Sequence, residues 1–186
     1  MFYKKKTMKN ITNHSRRKFL TTSVGAAVFA GASATFAGTF FKPFTLSAQG
    51  STAAIQSKIA LLGNASLQTS LLAATKAVNP EVKMFAKFET AEQETIGKIL
   101  KDMGTVVPPP GAEQKALLAK LQAASGKAFD QAFMLGQVDT HQKLHQAVSE
   151  LLKQSTDVHV KHVASLALAT ITEHTERGQI LLKKLG

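Results

Sequence analysis

From residue 51 to the C-terminus, apolar residues recur at steps of three and four rather than in alternation, which is the period of amphipathic helices. Ile55, Ile59, Leu62, Ser66, Thr69 and Ala73 share one stripe. Val82, Phe85, Glu89, Glu92, Ile96, Ile99 and Met103 share a second. The pattern predicts helices over 52–78, 80–103, 112–125, 127–154 and 157–184. Pro80 suits a first helical turn, with Asn79 as its cap and Glu81 facing the helix dipole. Gly104 is a stop signal. Pro108-Pro109-Pro110-Gly111 is a rigid break, and Ser155-Thr156-Asp157 is a polar joint. No Asn-Gly or Asp-Gly hairpin signal occurs. Each long segment has one apolar stripe and extends roughly 30–40 Å at about 1.5 Å per residue. Four such rods bury their stripes best as an antiparallel bundle, with 112–125 as a short extra helix in the crossing. The expected fold class is therefore all-α, an antiparallel four-helix bundle with one short extra helix.

The chain ahead of the bundle is of another kind. Residues 1–18 are basic and polar, and Phe19 to Phe41 form a run of 23 residues without charge. A basic head before an apolar run is the layout of an export signal. At the junction, Ser15-Arg16-Arg17-Lys18-Phe19-Leu20 resembles the twin-arginine export motif, with Thr21 where lysine is often found. Arg16, Arg17, Phe19 and Leu20 carry that resemblance. Residues 1–48 are read as leader and 49–186 as the helical domain. Ala32-Ser33-Ala34 fits a cleavage site, and cuts near Ala37 or Ala48 also fit. Removal is expected, with retention as a membrane anchor the alternative. Either outcome places the domain outside the cytoplasm, in the periplasm or on the envelope, with the twin-arginine machinery as the leader's partner.

Composition then removes several function classes. The net charge of +11 comes from 23 basic and 12 acidic residues, but eight of the basic residues precede Ala48 and no acidic residue precedes Glu81. Gln49 onward holds 15 basic against 12 acidic residues, with the lysines dispersed, so nucleic acid is not expected as a partner. With no cysteine there is no disulfide, thiolate zinc site, iron–sulfur cluster or attached c-type haem. No Gly-x-Ser-x-Gly elbow and no phosphate-cradling glycine loop is present. No catalytic residue is nominated.

Four passages give a family resemblance over about residues 55–184. They are Leu72-Ala73 with Lys76-Ala77 and Pro80-Glu81-Val82-Lys83; Phe85-Ala86; Gly126 with Phe129-Asp130, Phe133, Val138 and His141; and His174. In this order and spacing the chain resembles the secreted bacterial family numbered 4142 among domains of unknown function. The resemblance implies a ferritin-like bundle in the periplasm or at the outer membrane and leaves the activity open. Glu92 stands where the family usually has histidine, Ser66 where glutamate is common, and Phe88 where methionine is usual.

Ferritin-like di-iron sites draw Glu-x-x-His pairs from two helices. That signature fails here, since Val138 precedes His141 and Ile171 precedes His174 at the required spacing. Glu92, His141 and His174 nevertheless fall in apolar phase on three different helices. One carboxylate and two imidazoles suit Zn, Mn or Fe with open positions, or else hydrogen-bond with one another. His141 and His145 are an i, i+4 pair, and His159 and His162 an i, i+3 pair, both weak chelators without further ligands. Asp130 reads as a helix-start carboxylate serving free amides, and Phe129 and Phe133 read as core. The functional expectation is an exported, non-catalytic envelope protein without a cofactor. The alternative is a metal-binding ferritin-like oxidoreductase or storage protein.

Overall fold

A computed structural model describes residues 47–186, with side chains from Thr52 onward. Arg16, Arg17, Phe19, Leu20 and the other residues before Ser47, where the export signal is expected, lie outside the described residues. Five helices follow: α1 (Ser47–Lys76), α2 (Pro80–Asp102), α3 (Ala112–Ala123), α4 (Gly126–Gln154) and α5 (Val158–Leu185). The described residues are all-α, as the periodicity predicts. Gly63-Asn64 does not interrupt α1.

The ends follow local chemistry. Asn79 Oδ1 accepts from the amides of Glu81 and Val82 to cap α2. Asp157 does the same for His159 and Val160 at the start of α5. At the end of α2 the Gly104 amide donates to Lys101 O and the Thr105 amide to Leu100 O, both at 2.9 Å. This double bond pattern needs a left-handed residue, and Gly104 has φ +83°. Asp130, on the second turn of α4, is fully buried. It accepts from the amides of Val78 (3.1 Å) and Asn79 (2.8 Å). The free amides that it serves therefore belong to the turn entering α2, and Asp130 pins that turn to α4.

α1 packs on α2 and on α4, and α4 packs on α5. α2 and α5 meet through side chains, as in the Lys184–Glu81 ion pair and the Phe85–His174 ring contact. Contacts between Ser66 and Gln137 and between Val78 and Asp130 make α1 antiparallel to α4. Those of Glu81 with Lys184 and Glu89 with His174 make α2 antiparallel to α5. α2 and α4 consequently run the same way. Residues 103–125, including α3, return the chain along the bundle between them.

The core has two apolar clusters. One gathers Ala73, Val82, Phe85, Phe129, Phe133 and Leu181, among others, around the α1–α2 turn. The other gathers Ile59, Leu62, Leu100, Leu144, Val148 and Ile171 toward the opposite end. Between them lies a polar layer of Ser66, Thr69, Ser70, Glu89, Gln93, Gln137, Thr140, His141 and His174, all buried.

Gly178 brings α5 close to α4 at that layer. A Cβ there would stand 2.8 Å from Val138 Cγ2 and 3.4 Å from Met134 Cε. It lies one turn beyond His174, so the close approach also brings His174 toward His141. Gly178→Leu is expected to lower stability by about 1–3 kcal/mol through overpacking, as read by urea denaturation. An unchanged midpoint would contradict this packing.

Candidate metal centre

Three helices each contribute one titratable side chain to the polar layer: Glu89 from α2, His141 from α4 and His174 from α5. Their facing donor atoms lie within 4.8 Å of one another, and all three residues are buried. Glu89 Oε2 is 2.7 Å from His174 Nδ1 and 3.3 Å from His141 Nε2. The distances are short, yet none of the three atoms makes an aligned hydrogen bond. Among the described residues, four buried side-chain atoms lack a hydrogen-bond partner, and these are three of them. Buried polar groups are ordinarily satisfied, so three orphans around one point require a chemical reason.

The far atoms of the same side chains are held. His141 Nδ1 lies 2.8 Å from the Gln137 carbonyl oxygen. A carbonyl only accepts, so Nδ1 carries a hydrogen, and Nε2 is the nitrogen that faces Glu89. Glu89 Oε1 accepts from the Ser66 hydroxyl at 2.5 Å and from Gln93 Nε2 at 2.9 Å. The Ser66 hydroxyl also lies 2.7 Å from Gln137 Oε1, so its one hydrogen is shared between the two acceptors. Gln137 Nε2 in turn donates to Thr69 and Ser70. His174 Nε2 points outward, 3.5 Å from Glu92 Oε2 and 3.4 Å from Glu173 Oε2. The opposite atoms of His141 and Glu89 are thus oriented by hydrogen bonds, which is how metal-binding histidines and carboxylates are held. Phe85 closes one side, with ring centroids 5.5 Å from His174 and 6.4 Å from His141.

The electrostatics agree. Burial pushes the Glu89 carboxyl up, but His141, His174 and Ser66 outweigh it and hold the group well below the usual carboxylate range. Burial pushes the His174 imidazole down, but Glu89, then Glu92 and Glu173, outweigh it and raise it above its ordinary value. Glu89 is therefore an anion in the core, and the site draws a positive charge to it.

The sequence nominates Glu92 as the carboxylate, and in the structure Glu89 is the one that faces both imidazoles. Counting about 3.6 residues per turn from Val82 puts the inward positions of α2 at Phe85/Ala86, Glu89, Gln93, Ile96 and Leu100. Glu92 lies off that line, its side chain 24 % exposed against 0 % for Glu89, and it reaches only the outer nitrogen of His174. Glu89 stood on the same stripe, between Phe85 and Gln93, and its phase was the signal that identifies it. Ser66 and Thr69 were placed on the inward stripe of α1, but their bonding to Glu89 and Gln137 depends on how the helices meet. His141 and His174 come together as nominated. His145, His159 and His162 are exposed, so the i, i+4 pair is split, with His141 inside and His145 outside.

A family model described as a domain of unknown function (DUF4142) matches residues 43–181. The chain belongs to this family. Comparison with curated proteins and with solved structures returned no match. The DUF4142 match reaches into all four long helices and includes Glu89, His141 and His174. It assigns none of them a role.

The metal-free DUF4142 domain has a defined pH response. The lowered Glu89 group contributes stability above its ordinary value of 4.5, and this is lost as pH falls through its folded-state value. The raised His174 group contributes stability below 6.5, and this is lost as pH rises through its folded-state value. Urea denaturation of the chelator-treated protein should therefore give a maximum between these two ordinary values. Stability that climbs steadily through neutral pH would contradict these charge states.

Proposed function

We propose that this is an exported envelope protein whose helical bundle binds one divalent transition-metal ion through Glu89 Oε2, His141 Nε2 and His174 Nδ1. The observation that carries the reading is the convergence of three buried ligand atoms within 4.8 Å of one another, none of them in an aligned hydrogen bond. Ligand atoms about 2.1 Å from a shared ion stand about 3–3.4 Å apart, and the carboxylate-to-imidazole separations of 2.7 and 3.3 Å fall close to that range. Two imidazoles and one carboxylate with further positions open suit iron(II), and also manganese or zinc. One ion, rather than a di-iron pair, fits the donor set, since Ser66 offers α1 only a hydroxyl. The single long crossover between two helical hairpins supports the ferritin-like expectation. Export to the periplasm is proposed from Arg16-Arg17 and the uncharged run behind them. Among the described residues no helix is long and apolar enough to cross a membrane.

A second reading also has a specific support. The lowered Glu89 and raised His174 groups are those of a carboxylate paired with an imidazolium. On that reading the layer only fixes helix register in a non-catalytic protein.

Elemental analysis and metal titration of the purified protein separate the two. The metal reading expects one iron, manganese or zinc per chain. Glu89→Gln and His141→Gln should weaken binding by more than the roughly 10–100-fold typical of losing an outer partner. Glu92→Gln, which touches only the outer nitrogen of His174, should stay within roughly that range. Absence of stoichiometric metal, with Glu89→Gln merely less stable, would favour the register role.

A further inference from the structure

A pocket of about 90 Å³, partly open to solvent, lies beside the centre between the helices. Its position follows from helix register. Gly63 is three residues before Ser66, Gln93 four after Glu89, Leu144 three after His141, and Ile171 three before His174, and all four line the cavity. In this antiparallel arrangement each of those offsets points toward the same end of the bundle. The cavity is therefore one helical turn, about 5 Å, from the polar layer along the bundle axis.

Its lining decides what it can hold. Ile59, Ile96, Leu100, Val148 and Ala167 supply most of the rest of the wall, from all four long helices. Gly63 and Gly97 leave room on the α1 and α2 sides, and a Cβ on the exposed Gly97 would meet nothing within 4 Å. Asn64, Glu92 and Gln93 are the polar lining residues. The Gln93 amide nitrogen is already committed to Glu89 Oε1. Gly63 keeps that amide in place, since a Cβ there would stand 2.7 Å from Gln93 Oε1. A water needs two to four polar partners, and a larger apolar cavity of about 150 Å³ stays dry and takes xenon or benzene. This smaller one suits a diatomic molecule.

We propose that the cavity is the ligand chamber of the metal centre and receives a small uncharged apolar molecule of dioxygen size. The inference rests on the metal reading above. Gln93 is the wall between chamber and centre, and it is a positioning residue that holds Glu89 Oε1 and leaves Oε2 for the ion.

Two probes on the purified full-length protein test this. Xenon, followed by its NMR shift, should bind at one saturable site in both metal-free and metal-loaded protein. Nitric oxide should associate with the iron(II)-loaded protein. Ala167→Leu and Ala60→Leu fill the chamber from α5 and α1, away from the donor atoms, and circular dichroism checks that each remains helical. Either folded variant should abolish xenon binding, keep stoichiometric iron and slow nitric oxide association by about tenfold or more. Absence of xenon binding to the unmodified protein would overturn the chamber while leaving the metal reading intact. Xenon lost but nitric oxide association unchanged would also overturn it. Xenon bound but no iron retained by the unmodified protein would overturn the metal reading and the chamber's role together.

Discussion

A carboxylate sealed in a helical core is stable only if something positive stands beside it, and much of this bundle is organised around that constraint. Glu89 is fully buried. Moving an ion of its kind out of water costs several kcal/mol even after the protein relaxes. Ser66 and Gln93 satisfy one oxygen with neutral hydrogen bonds. The other oxygen faces two imidazole nitrogens and no aligned donor. A proton on His174 balances the Glu89 charge, and in the proposed metal-bound form a divalent ion would supply the positive charge in its place. The two would compete, so metal binding as proposed would release a proton and strengthen as pH rises.

The rest of the molecule fixes the position of these three groups. The two apolar clusters grip the helices on either side of the polar layer, so the layer is set by packing rather than by its own bonds. Asp130 ties the entry of α2 to α4, which sets the height of Glu89 relative to His141. Gly178 lets α5 approach α4, which sets the distance of His174. The Gln137 carbonyl fixes the orientation of the His141 ring. These constraints act from α4 and α5 and together fix the geometry of the triad.

Helix content and most helix ends were legible in the sequence because they depend on local chemistry: Asn79, Asp157, Gly104 and the proline run each act within a few residues. His141 and His174 were legible because an ionisable residue on an apolar stripe is a local anomaly. The choice between Glu89 and Glu92 was harder, because both fall near the stripe and only its drift along a full helix separates them. The bonds from Ser66 to Glu89 and from Gln137 to Ser70 were not legible. They join residues 23 and 67 positions apart, and which residues meet across helices depends on packing depth and register. The cavity was invisible for the same reason, since it exists where Gly63 and Gly97 face side chains from α4 and α5.

The most direct test of the central claim is the X-ray absorption fine structure of the protein loaded with one equivalent of iron(II) or zinc. The account predicts a ligand set containing two imidazoles and a carboxylate oxygen, with distances of about 2.0–2.2 Å. An all-oxygen set, as exposed carboxylates and water would give, would contradict it.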